Sequence, residues 1–175
     1  MSMKIIQTHD YKTQLIALYM DAFAKGASEQ YIDEAALDIY IEKLLNEGIT
    51  LVAIENEQIF GALLSCPLKF DKDITSDITE NFAIEKCVYV AEMMVAEQAR
   101  GKGIGRQLLT AFFETPDTKL YSDAFIRVWD KNVGAIALYE KMGFVPYTSI
   151  EQTKQKADGS ETFVMRKIYL HKKMN

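Results

Sequence analysis

Between Cys87 and Phe113 the hydrophobic pattern changes period with no linker between the two halves. That change restricts the fold more than any other feature of the chain. Cys87 to Val95 is apolar and rich in β-branched and aromatic residues, the pattern of a buried strand. Glu97 to Lys102 is polar, and Ile104, Leu108, Leu109, Phe112 and Phe113 then recur at helical spacing. Gly101, Gly103 and Gly105 fall where the strand must reverse into the helix, and residues without a Cβ leave backbone N–H groups open to close approach. The first turn of that helix has orphan N–H donors at the positive end of its dipole. Together these make an anion site of the kind that holds a diphosphate. Arg100, Lys102 and Arg106 put cationic side chains around the same turn.

Spacing excludes the competing glycine motifs. A phosphate loop of the nucleotide triphosphatases needs Lys-Ser or Lys-Thr after its last glycine, whereas Gly105 is followed by Arg106 and Gln107. A dinucleotide fingerprint counted from Gly101 would need glycine where Arg106 stands. Arg100-x-x-Gly103-x-Gly105 alone is weak, since about one chain in ten of this length would match it by chance.

A second motif lies downstream, Asn132-Val-Gly-Ala135-Ile-Ala-Leu138-Tyr139-Glu-Lys-Met-Gly143-Phe144. With Arg100 to Gly105 it resembles the GNAT superfamily of acyl-CoA N-acyltransferases, in the family's order and spacing over roughly Cys87 to Val145. The resemblance implies a mixed α/β fold, with a largely antiparallel central sheet, about four flanking helices and splayed central strands. It implies acetyl-CoA as co-substrate, an amine-bearing acceptor and no metal. Backbone amides of Gly101, Lys102, Gly103, Ile104, Gly105 and Arg106, beside Arg100, would hold the diphosphate. Main-chain groups of Met93, Met94 and Val95 would bond the pantetheine arm like an added strand. Asn132 would contact that arm, or serve only as the N-cap that its place at a helix start explains. Tyr139 would face the leaving sulfur, yet with Ala135, Leu138 and Met142 it also forms a helical stripe that suits a core tyrosine. A thiol lies about 1.5 pKa units below a phenol, so hydrogen bonding to the thiolate is easier to defend than full protonation. Glu92, just before the splayed region, is the candidate base for the acceptor ammonium; its plainer role is a strand carboxylate in a salt bridge. A non-catalytic acyl-CoA sensor is the rival function.

Composition agrees. A chain of 175 residues with 49% hydrophobic residues can bury a proper core, and it is read as one domain over residues 1–175. A net charge of −5 with dispersed lysines offers no basic field for nucleic acid or an anionic membrane. Cys66 and Cys87 stand alone, with only His9 and His171 as imidazoles, so neither a disulfide framework nor a zinc site is suggested. No apolar run approaches the ~18 residues of a membrane span, and the expectation is a cytoplasmic protein, with a homodimer left open.

In chain order, Met3 to Gln7 reads as a strand, and Tyr11 to Ala24 and Asp33 to Asn46 as amphipathic helices. Gly48 stands at a position suited to a left-handed cap. Ile49 to Glu55 and Ile59 to Cys66 form a hairpin. Lys69 to Lys86, with five acids and three lysines, reads as an insertion, either a lid attracting a cationic substrate or a solvated excursion. Ala124 to Trp129, Val145 to Ile150 and Thr162 to Tyr169 are further strands, the last two flanking a polar span with an Asp158-Gly159 turn.

Overall fold

The computed structural model describes residues 2–174. Seven strands form one sheet in the order β1-β2-β3-β4-β5-β7-β6: β1 (Lys4–Gln7), β2 (Thr50–Glu55), β3 (Gln58–Pro67), β4 (Cys87–Val95), β5 (Asp123–Trp129), β6 (Val145–Gln155) and β7 (Thr162–Lys173). All neighbours are antiparallel except β4 and β5, whose parallel pairing needs a crossover. Helix α4 (Ile104–Glu114) supplies it, which is why the strand, turn and helix pattern is central to the chain. The mixed, largely antiparallel sheet meets the expectation.

Alternation along the strands divides the core in two. Helices α1 (Lys12–Phe23) and α2 (Glu34–Glu47) cover one face, where Leu15, Leu37, Ile41 and Leu44 pack on Val52, Leu64, Tyr89 and Phe125. On the other face Ile104, Leu108, Leu109 and Phe112 of α4, with Tyr139 of α5 (Val133–Lys141), pack on Leu51, Leu63, Val88 and Ile126. Each fully buried leucine there is worth about 1.5 to 3 kcal/mol.

Two local readings change, and the expected hairpin forms with a two-residue turn. Gly48 is extended (φ −131°), not left-handed. A Cβ there would stand 1.5 Å from the Ser65 carbonyl oxygen, so glycine is required by the close approach of β3. The β2–β3 hairpin turns on Asn56 and Glu57 at φ 51° and 63°, both left-handed as a two-residue type I′ turn demands. The polar span after Ile150 is strand rather than loop, because β6 continues to Gln155 with alternating side chains exposed.

The Lys69–Lys86 segment is not a solvated excursion. It contains a short helix, α3 (Ser76–Asn81), with Ile78 fully buried, and the Phe82 ring stands edge-on to Phe125 at 4.9 Å. Asp71 is buried and receives the Arg127 guanidinium at 2.9 Å and the Tyr169 hydroxyl at 2.6 Å. The acids that suggested a cationic substrate are partly spent on Arg127, which Asp73 also approaches at 3.5 Å.

Candidate active site

A bulge in β4 creates the site. Val90 pairs with Ser65 and Glu92 with Leu64, so Ala91 has no partner on β3. The parallel ladder to β5 ends one residue earlier, at Val90 opposite Ile126, although β4 continues to Val95 and β5 to Trp129. The two strands therefore part, and the backbone of Met93 to Val95 has no strand on its β5 side. The bulge also changes the phase of the strand. Val88 and Val90 point to the α4 face, and strict alternation would send Glu92 with them. Instead Glu92 and Met94 point to the α1/α2 face, while Met93 and Val95 join the α4 face.

The gap opens into a cavity of about 800 Å³. Every candidate residue except Lys102 lines it: Glu92, Met93, Met94, Val95, Arg100, Gly101, Gly103, Ile104, Gly105, Arg106, Asn132 and Tyr139. Lys102 is exposed on the outside of the turn. None of residues 69–86 reaches the cavity, so the insertion is not a lid over it.

At one end lies the glycine turn. Gly101 and Gly103 have φ +74° and +76°, a conformation that side chains disfavour, and Gly103 is the N-cap of α4 without a side-chain acceptor. Among the described residues, the N–H groups of Ile104, Gly105 and Arg106 meet no acceptor, and all three residues line the cavity. Gly105, whose backbone also lines the cavity, meets a neighbouring helix as well. It lies inside α4, where a Cβ would approach Leu138 Cδ2 of α5 to 2.9 Å. Arg100 is tied to the parting strand, its Nε donating to the Val95 carbonyl at 3.3 Å.

Asn132 caps α5, its Oδ1 accepting from Ala135 N at 3.3 Å, and it also lines the cavity. The Tyr139 ring is buried edge-on to Phe144 at 6.2 Å. Its hydroxyl has no hydrogen-bond partner among the described residues, so the phenol tip is free at the cavity wall. Burial, and then the Glu92 charge, push its pKa up, which keeps it protonated and able to donate.

Glu92 reaches the cavity from the α1/α2 face. Tyr40 of α2 donates its hydroxyl to Glu92 Oε1 at 3.0 Å. Burial pushes the carboxyl up to about 7, opposed by the Tyr40 hydrogen bond and the positive charges of Lys167, Arg127 and Lys154. A carboxylate poised there exchanges protons near neutrality. Cys66 and Cys87 are buried thiols outside the cavity, raised to about 12 and about 11 chiefly by burial, and are unsuited to nucleophilic work.

Tyr40, Lys154 and Lys167 escaped the sequence reading. Tyr40 sits beside the apolar stripe of α2, and nothing local says that it meets β4. Lys167 had a usable signal, since it shares one strand face with Phe163, Met165 and Tyr169 and so stands at an inward position.

Known structures share this architecture. A protein of Salmonella typhimurium solved with its cofactor acetyl-CoA superposes with a TM-score of 0.73 at 17% identity, over 100% of this chain and 95% of that one. An N-acetyltransferase of Staphylococcus aureus gives 0.72 at 18% identity, over 98% and 99%. A ribosomal-protein-alanine N-acetyltransferase of Brucella melitensis gives 0.70 at 22%, over 96% and 99%. In sequence, an uncharacterised N-acetyltransferase of Bacillus subtilis is 30% identical over 93 residues, 51% of this chain but only 38% of the relative's length. Residues 46–146, more than half of the chain and including the parting strand, the glycine turn and Tyr139, match the acetyltransferase (GNAT) domain, and the chain belongs to the GNAT acetyltransferase family.

Proposed function

We propose that the protein transfers an acetyl group from acetyl-CoA directly to a primary amine within a ternary complex. One observation carries the reading: a single cavity joins the anion-binding turn, the free edge of β4, a partnerless tyrosine hydroxyl and a carboxylate near neutrality. The three open N–H groups of α4, with Arg100 and Arg106, suit a diphosphate. The unpaired edge of Met93 to Val95 suits the amides of a pantetheine arm. The Salmonella typhimurium protein of the same fold was solved with acetyl-CoA, which supports the same ligand here.

The chain's own groups then divide the chemistry. An amine near pKa ~10.4 is almost wholly protonated at neutral pH and cannot attack. Glu92, directly or through water, takes that proton; the amine nitrogen then bonds to the thioester carbonyl carbon, the carbon–sulfur bond breaks, and the second proton lost by the nitrogen passes to the departing sulfur, which leaves as the free thiol. Tyr139 donates a hydrogen bond to the sulfur as it gains charge. No cysteine lines the cavity, which favours direct transfer over a covalent intermediate. A sensor that only bound acyl-CoA would not need Glu92 held by Tyr40 on the opposite face of the sheet from Tyr139. The test is thiol release from acetyl-CoA across a panel of primary amines, with thermal stability read alongside. Amine-dependent release is expected, and acetyl-CoA binding without release for any amine would select the sensor instead.

A further inference from the structure

The acceptor end of the cavity carries two lysines that the chemistry above does not use. Lys167 of β7 lies opposite Trp129 of β5, on the face shared by Arg127 and Tyr169. Lys154 of β6 lies on the same face, since Ile150, Gln152 and Lys154 register against Lys167, Met165 and Phe163. Both lysines line the cavity with Glu92. Neither has a carboxylate within salt-bridge distance or a hydrogen bond among the described residues, while the third cation on this face, Arg127, is satisfied by Asp71, Asp73 and Tyr169. Burial, followed by the charges of Lys154 and Arg127, lowers Lys167 to about 8. Two half-buried cations on one face, without a carboxylate in salt-bridge range, favour an anionic partner. Glu92 can balance only one of the two, and none when it holds a proton.

Resting on the acetyl-transfer reading, we infer that the acceptor is an amino acid or a close analogue, its primary amine toward Glu92 and its carboxylate between Lys154 and Lys167. Such an acceptor supplies the missing negative charge. A polyamine would add positive charge beside two lysines already short of a partner, and a neutral amine would leave them unpaired.

The test compares free amino acids, including β-alanine and 4-aminobutanoate, with their carboxamides and with spermidine, at saturating acetyl-CoA. At least one free acid is expected to exceed its carboxamide by about tenfold or more in kcat/KM, because a site built around a charged group rejects an analogue that lacks it. In Lys167→Gln and Lys154→Gln that ratio should fall by about tenfold, mainly through KM of the acid, with the acetyl-CoA thermal shift showing that each variant is folded. Carboxamides or spermidine turned over as well as the acids would overturn the inference while leaving acetyl transfer intact. Acetyl-CoA binding with no acid-bearing amine turned over would overturn it as well. Absence of acetyl-CoA binding would instead strike the reading beneath it.

Discussion

The Tyr40 hydroxyl donates to Glu92 Oε1 across 3.0 Å, so α2, which lies between β1 and β2 in the chain, holds the one carboxylate that lines the cavity among the described residues. A hydrogen bond donated to a carboxylate favours its charged form, here against burial. In Tyr40→Phe the carboxyl should therefore rise further. The acid limb of the kcat profile would move to higher pH, and turnover at pH 6.5 would fall by about two- to tenfold, recovering in alkaline buffer. An unshifted limb would disconnect Glu92 from the rate.

Glu92→Gln should lower kcat by about 10²- to 10⁴-fold, the usual contribution of a positioned base. Stability should move the other way. With a native pKa of about 7 against an ordinary 4.5, the folded state binds the proton more tightly than the unfolded chain. Wild-type stability is therefore lost as pH rises from about 4.5 through 7. Gln keeps the Tyr40 hydrogen bond without the charge, so the variant should gain roughly 1 to 3 kcal/mol at pH 8 and nothing near pH 4.5. Denaturant melts at the two pH values read the difference.

Tyr139→Phe separates chemistry from packing cleanly, because the hydroxyl has no protein partner to lose. The ring contact with Phe144 survives, so the melting temperature should hold, while kcat falls by roughly 10- to 1,000-fold with acetyl-CoA affinity little changed. Turnover within about twofold of wild type would remove Tyr139 from the mechanism.

Acetyl-CoA at 100 times its dissociation constant should stabilise the wild type by about 2.7 kcal/mol. Gly103→Val should abolish that shift twice over. It places a β-branched side chain at φ +76° and covers the N–H groups at the start of α4. Calorimetric binding equal to wild type would move the anion site elsewhere.

Arg127→Leu should cost about 3 to 5 kcal/mol, since Asp71, only 2% exposed, would lose its cationic partner. Adding Asp71→Leu should restore most of the loss. If the single change is mild, the insertion is held to the sheet by its apolar contacts alone.

The period change at Val95 to Ile104 was enough to specify strand, turn and helix, because side-chain direction in each element follows from local geometry alone. The same holds for the Asn132 cap and the apolar stripes of α1, α2 and α4. Lengths of sparsely buried elements were not readable: β6 runs to Gln155 because pairing with β7, rather than its own polar residues, makes it a strand. The insertion is ordered by partners distant in sequence, among them Arg127, which lies 56 positions from Asp71, and Phe125, against which Phe82 packs. Within the site, the types of residue in the glycine turn were legible, but the approach of Gly105 to Leu138 was not, because it is a contact between elements. Glu92 shows the limit most plainly. Its place on the strand is written in the sequence, but the face it serves is set by the bulge at Ala91, which depends on how β4 registers against β3. A one-residue change of register reverses every side chain beyond it. Only the assembled sheet turned Glu92 away from α4, toward Tyr40 and the two lysines.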